Sequence, residues 1–165
     1  MTIETNRLNL IPLTGQQLKL WTENIDSLEI ELGCYYRGEL MDGEFLDIVK
    51  GQIEIVFNDE ANYLYHSFWL MIRKSDSVAV GSACFKNIPN ENKEVEIGYG
   101  LSKEFEGNGY MTETIQAMCT WVLQQEMVEN VIAETESNNP LSERVLERCG
   151  FRKYKEVTNT WWKLL

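Results

Sequence analysis

This 165-residue chain has a single histidine, His66, and its four cysteines, Cys34, Cys84, Cys119 and Cys149, stand far apart with no C-x-x-C pair. That inventory argues against a zinc site, and no metal is expected. Basic residues are scarce as well: 15 against 26 acidic, a net charge of −11, which argues against nucleic-acid backbones and anionic membrane surfaces as partners. No apolar run is long enough to cross a bilayer. The opening Met1-Thr2-Ile3-Glu4-Thr5 lacks the basic and apolar regions of an export signal. A cytoplasmic protein with free core thiols is therefore expected. No repeat, linker or low-complexity segment divides the sequence, and its length and 44% apolar content make residues 1–165 one domain. The acidic balance keeps a protein soluble and also suits a cationic partner.

What the chain does have is a glycine turn, Glu106-Gly107-Asn108-Gly109-Tyr110-Met111-Thr112. An alternating run (Val95, Ile97, Tyr99, Leu101) reads as a strand before it, and an apolar helical series follows. Two glycines bend the backbone tightly and bare successive N–H groups, and a helix start adds unpaired donors and a positive dipole end. Such a turn is either an anion site, most naturally for phosphate, or only a tight connection. It is no P-loop, since Tyr110-Met111 stands where Lys and Ser or Thr are needed. A dinucleotide fingerprint fits poorly too, because Thr112 replaces its third glycine and the turn comes after about a hundred residues.

The rest reads in order. Arg7 to Leu13 alternates as a strand, and Thr14 caps a helix through Leu18, Leu20 and Trp21. Gly33 to Gly38 reads as a loop carrying aromatics, and Asp42 or Gly43 opens a helix to Asn58-Asp59. His66–Lys74, Val78–Lys86 and Lys93–Leu101 form an antiparallel meander, with Gly81 a bulge or a close backbone approach. The first of these strands is dense enough in apolar residues to be covered on both faces. The helix after the glycine turn carries Met111, Ile115, Met118, Cys119 and Val122 and is expected to reach the region of Met127. Val131–Thr135 is a strand parallel to Lys93–Leu101 if that helix is a crossover. Asn138-Asn139-Pro140 starts a helix that Gly150 closes, and Phe151–Val157 with Thr160–Leu165 makes a hairpin.

Element order and motifs together resemble the GNAT superfamily of acetyl-CoA-dependent N-acetyltransferases, nearest to the ribosomal-protein N-terminal acetyltransferases of the RimJ/RimL type. The resemblance runs from Thr5-Asn6-Arg7-Leu8 to Trp161-Trp162. It rests on Glu96-Ile97-Gly98-Tyr99, on Gly107 to Glu113, and on Asn139-Pro140-Leu141-Ser142 with Val145 to Phe151. It implies an α/β (α+β) fold: a mixed, mostly antiparallel sheet of about seven strands, helices on both faces, and one splayed parallel pair. It also implies that acetyl-CoA is the cosubstrate. Its pyrophosphate would lie on the turn from Glu106 and Gly107 through Asn108, Gly109, Tyr110 and Met111 to Thr112, and its pantetheine arm between Glu96–Leu101 and Val131–Thr135, near Ile97, Gly98, Tyr99 and Asn139. Two positions depart from the family pattern, Glu106 for a basic or amide residue and Met111 for a small one. Backbone donors survive both changes, and Glu106 is expected to face away from the phosphates.

An amine attacks a thioester directly, so three tasks remain: deprotonating the amine, stabilising the oxyanion and attending to the leaving thiolate. Glu96 is the expected base, with Glu94 its rival, and an N–H near Ile97 to Tyr99 the oxyanion donor. The tyrosine that many relatives carry on the helix after the Asn motif is missing, with Val145 and Leu146 in its place. Ser142 matches the serine that the Rim-type branch assigns to the thiolate; its bland alternative is support of the helix N-terminus. Trp21, Tyr35, Tyr36, Trp69, Trp161 and Trp162 are candidates for the acceptor pocket, although most of these aromatics are expected in the core instead. The acceptor is expected to be a primary amine (small amine, polyamine or aminoglycoside-like compound, or peptide N-terminus), met by a monomer or homodimer. The alternative is a catalytically silent acetyl-CoA-binding module.

Overall fold

The computed structural model describes residues 1–164. Its strands are β1 (Ile3–Glu4), β2 (Leu8–Pro12), β3 (Tyr35–Tyr36), β4 (Phe68–Arg73), β5 (Val78–Phe85), β6 (Glu94–Leu101), β7 (Asn130–Thr135), β8 (Arg152–Glu156) and β9 (Thr160–Leu164). Its helices are α1 (Gly15–Glu23), α2 (Ile25–Leu32), α3 (Gly43–Asn58), α4 (Tyr63–His66), α5 (Tyr110–Val122) and α6 (Pro140–Arg148). The sheet runs β1-β2-β4-β5-β6-β7-β9-β8, with β3 added beside β5. Seven strands of five to eight residues carry it, and β1 and β3 are two-residue additions.

Strand β4 shows why the chain folds in layers. Its side chains alternate between two cores: Trp69 and Met71 pack with Ile115, Met118 and Val122 of α5 and Leu146 of α6. Phe68, Leu70 and Ile72 pack with Leu18 and Trp21 of α1, Leu28 of α2 and Val49 and Val56 of α3. A period-two strand covered on both faces has to be apolar throughout, and residues 68–72 are all buried. The register of β4 on β5 skips Val80 between Met71 and Ile72. Beside that bulge, a β-carbon on Gly81 would lie 2.5 Å from the Gly100 carbonyl oxygen, so the expected bulge and the close approach are both present.

Helix α1 begins with a capping box: the Thr14 hydroxyl accepts from the Gln17 N–H, and the Gln17 side chain accepts from the Thr14 N–H. Three expectations need correction. Gly33–Gly38 is not all loop, because Tyr35–Tyr36 pairs parallel with Val78–Ala79. His66 ends α4 rather than opening β4, with its Nε2 bonded to Asp59 Oδ2 at 2.9 Å. Helix α5 stops at Val122: tight turns follow, with Gln124 and Gln125 N–H groups donating to Trp121 and Val122 carbonyls. Met127 is left 62% exposed while Val128 is buried.

Candidate active site

The site begins where two strands part. β6 and β7 pair in parallel over only three residues each, Glu94–Glu96 against Asn130–Ile132. Beyond them β6 continues on β5 through Leu101, and β7 continues on β9 through Thr135. The facing edges of Ile97–Leu101 and Ala133–Thr135 form a notch whose backbone donors and acceptors are free for an extended guest.

Beside this notch the glycine turn leads into α5. Gly107 and Gly109 have φ of 81° and 80°, a conformation that costs an L side chain roughly 1–2 kcal/mol. Tyr110 and Met111 turn their side chains into the core, so the large residue at 111 is a packing element of the first helical turn. A cavity of about 390 Å³ runs from the turn to α6, lined by Glu106, Gly107, Gly109, Tyr110, Met111 and Thr112 on one side and by Asn139, Ser142, Arg144 and Arg148 on the other, with Tyr99 at its inner end. Asn108 does not line it: its Nδ2 donates to the Phe105 and Glu106 carbonyls at 3.0 and 3.3 Å.

A second cavity, about 760 Å³, opens on the other side of the notch. Ile97, Gly98, Tyr99, Gly100, Asn139 and Ser142 form its floor, and Glu39, Phe45, Phe68, Phe85, Glu134 and Glu136 are among its walls. None of the six aromatics read as pocket candidates lines it. Trp21, Trp69 and Trp162 are fully buried core residues, and phenylalanines take the walls.

Asn139 caps α6 by accepting from the Ser142 N–H at 3.3 Å, with Pro140 in the first turn. The cap presents the Ser142 hydroxyl to the notch, where its Oγ lies 2.6 Å from the Tyr99 phenol oxygen. Burial pushes the Tyr99 phenol up to about 12, with the Ser142 contact pulling the other way. Tyrosine and serine together thus present a protonated donor pair where the two cavities meet.

Glu96 lines neither cavity. Its Oε1 is 2.8 Å from Lys86 Nζ, and Lys86 is the residue that faces the second cavity. Desolvation, the largest single influence, pulls the Lys86 ammonium down, but the hydrogen bond and charge of Glu96 together with Cys84 and Glu134 outweigh it and the net shift is upward. Glu94 is also held, 2.7 Å from Lys163. Cys84 lines the second cavity, and burial pushes its thiol up to about 11; it is a protonated thiol and a poor nucleophile.

Two kinds of cavity and turn residue escaped the sequence reading. Arg144 and Arg148 line the first cavity one helical turn apart, placing two cations beside the glycine turn. Their i, i+4 spacing after the Asn motif was the available signal. Arg7 braces the glycine turn from β2's approach, and nothing local in the sequence connects positions 7 and 108.

Known proteins resemble this chain in sequence and in fold. A family model described as an acetyltransferase (GNAT) domain matches residues 7–152. An uncharacterized N-acetyltransferase, YjdG of Bacillus subtilis, is 30% identical over 149 residues, covering 90% of this chain and 88% of that protein. Among solved structures, RimL, a ribosomal L7/L12 alpha-N-protein acetyltransferase in complex with coenzyme A, superimposes with a TM-score of 0.68 at 18% identity, covering 100% of this chain and 98% of that one. The microcin C7 self-immunity acetyltransferase MccE, in complex with acetyl-CoA and AMP, gives 0.67 at 17% identity over 97% and 93% of the two chains. At those identities the two structures speak to the fold.

Proposed function

We propose, from the premise that this chain belongs to the GNAT acetyltransferase family, that it transfers the acetyl group of acetyl-CoA to a primary amine by direct attack. The observation that carries the reading is the three-residue limit on β6–β7 pairing beside the glycine turn. The residues present fit the cosubstrate. The N–H groups after Gly107 and Gly109, with Arg144 and Arg148 along the same cavity, suit phosphates. The bare backbone of Ile97–Tyr99 suits an amide-bearing arm. Acetyl-CoA supplies an activated acyl group as a thioester.

This chain's own groups then have three jobs. The backbone near Ile97 to Tyr99 donates to the developing oxyanion, where Gly98 allows close approach. Ser142, itself bonded to Tyr99, donates to the sulfur. The amine's proton goes to a carboxylate; Glu96, the base expected from the sequence, is held by Lys86 at 2.8 Å and would serve only through a water or after that pair opens. The protonated Cys84 thiol supports attack by the amine itself over an acyl-enzyme route. A protein N-terminus as acceptor is a second reading, favoured by the RimL likeness.

The test is a thermal melt with acetyl-CoA, ATP and NAD, followed by thiol release with an amine panel. Stabilisation by acetyl-CoA alone, by several degrees at saturating ligand, and amine-dependent thiol release are expected. Acetyl-CoA binding without thiol release for any amine would instead indicate a silent binding module.

A further inference from the structure

The acetyltransferase reading fixes where the second substrate must react. The two cavities share Tyr99, Gly100, Asn139 and Ser142, so acyl carbon and attacking nitrogen have to meet around these residues. Over Gly100 stands Glu39, from the segment joining β3 to α3. Its Oε1 lies 1.8 Å from the place a β-carbon on Gly100 would occupy. Any side chain at 100 would evict the carboxylate, so the glycine gives Glu39 its position at the junction. The segment is held from behind, where the Tyr36 hydroxyl donates to the Glu39 carbonyl oxygen at 2.6 Å.

Glu39 differs from the other carboxylates near the site. Glu96 is bound to Lys86 and Glu94 to Lys163, whereas among the described residues no cation or donor meets the Glu39 carboxylate. Desolvation alone moves it, holding its carboxyl above the usual range. An ionised group in that position lacks a counter-charge that a bound ammonium would provide. Glu134 and Glu136 face the same cavity, whose one lysine, Lys86, is already engaged by Glu96.

We propose that Glu39 receives the acceptor's ammonium group and takes its proton, and that the acceptor is a small aliphatic amine with a second positive charge, drawn by Glu134 and Glu136. One ammonium proton passes to the Glu39 carboxylate and on to solvent, and the freed electron pair forms the C–N bond. The C–S bond breaks with its pair on sulfur, and the second proton shed by nitrogen neutralises that thiolate. The charged and titratable groups around Glu39 are Lys86, Glu134, Glu136, His66, Cys84 and Tyr99 on the cavity, Tyr36 behind it, and the Arg37–Glu104 pair flanking its segment.

The experiment uses the full chain saturated with coenzyme A, titrated calorimetrically with 1,4-diaminobutane and with butylamine, and thiol release from acetyl-CoA with the same amines over pH 5–9. Wild type is expected to bind the diamine at least about 10-fold more tightly than butylamine. Glu39→Gln should weaken diamine binding about 10-fold, lower kcat/KM about 10²-fold and abolish the acidic limb of its pH profile; Glu39→Asp should restore part of each. A merely structural glutamate would lower the melting temperature when replaced. Here Glu39→Gln should hold or raise it at pH 8, because a carboxyl whose folded pKa is raised costs stability once ionised. The proposal falls if Glu39→Gln binds and turns over diamine like wild type, or if Glu96→Gln rather than Glu39→Gln removes the acidic limb. It also falls if wild type binds neither amine, or acetylates only a peptide N-terminus. Failure of wild type to bind coenzyme A would strike the acetyltransferase reading itself.

Discussion

Arg7 Nη1 donates to the Asn108 carbonyl oxygen at 2.9 Å, joining positions 101 residues apart. The same guanidinium bonds Glu113 Oε2 through Nε at 3.2 Å and lies 4.4 Å from the Tyr110 ring centroid. It thus ties the middle of the glycine turn to the first turn of α5. Fixing one peptide carbonyl of the turn outward leaves the neighbouring amides for a ligand. Arg7→Ala is expected to weaken acetyl-CoA binding by about 10-fold while leaving the fold intact, because an exposed ion pair contributes only about 0.2–1 kcal/mol to stability. Arg7→Lys should recover little, since a point charge replaces a planar fork of donors. Calorimetric affinities for acetyl-CoA decide it, and wild-type affinity in Arg7→Ala would remove the bracing role.

Two glycines should respond oppositely to alanine. Gly109 sits at φ 80° with Arg7 Nη2 3.4 Å from its would-be β-carbon, so Gly109→Ala should cost about 1–2 kcal/mol and lower acetyl-CoA affinity with it. Gly51 lies inside α3, and its would-be β-carbon meets nothing within 4 Å. Gly51→Ala should stabilise by about 0.5–1 kcal/mol, raising the melting temperature by a few degrees with activity unchanged. Thermal melts of the two variants side by side check the contrast.

Where the sequence was readable, a local rule decided the outcome. The alternation of β2, the Thr14 cap, the Asn139–Pro140 start and the Gly150 stop all involve residues within a few positions of one another, and each is in place. The parallel pair was legible because a crossover helix constrains handedness and direction. Side-chain partnerships across the fold were not legible. Glu96 reads as a free carboxylate on a strand, and only the antiparallel pairing of β5 with β6 brings Lys86 to it. Which aromatics would line the second cavity was not legible for a similar reason: composition offers tryptophans and tyrosines, and packing sends Trp21 and Trp69 to opposite cores, in keeping with the expectation that most of these rings are core. Glu39 carries no motif at all, and its position follows from a bare backbone 61 residues later.

The 2.6 Å contact between Tyr99 and Ser142 sets a limit on acid catalysis. A phenol pushed up to about 12 holds its proton more tightly than a thiol of pKa about 8.5, so in the proposed reaction the pair would stabilise a leaving thiolate by hydrogen bonding without delivering a net proton from Tyr99. In the proposed reaction Tyr99 is a positioning residue: with the phenol as donor of the Tyr99–Ser142 bond, the serine hydroxyl is free to face sulfur. Ser142→Ala should lower kcat by roughly 10²-fold and Tyr99→Phe by about 10-fold, with KM for acetyl-CoA little changed. The double variant should be no worse than Ser142→Ala, because the two act as one unit. Steady-state thiol release measures all three, and fully multiplicative losses would separate the residues.

Lys163 reaches Glu94 at 2.7 Å across the intervening strand β7, clamping the paired end of β6 and β7 just before the notch opens. The hydrogen bond from Lys163 holds the Glu94 carboxyl below its usual range, against some desolvation. A carboxyl with a depressed folded pKa contributes stability that is complete above its unfolded value, near 4.5, and lost as pH falls through the folded one. Wild type should therefore lose stability on acidification from about pH 5 downward. Glu94→Gln should lose less over that window while starting from a lower melting temperature at pH 7. Denaturant unfolding of both proteins between pH 3 and 7 gives the comparison: parallel curves would mean the pair contributes nothing to acid sensitivity, whereas convergence at low pH is the expected signature of a clamp released by protonation.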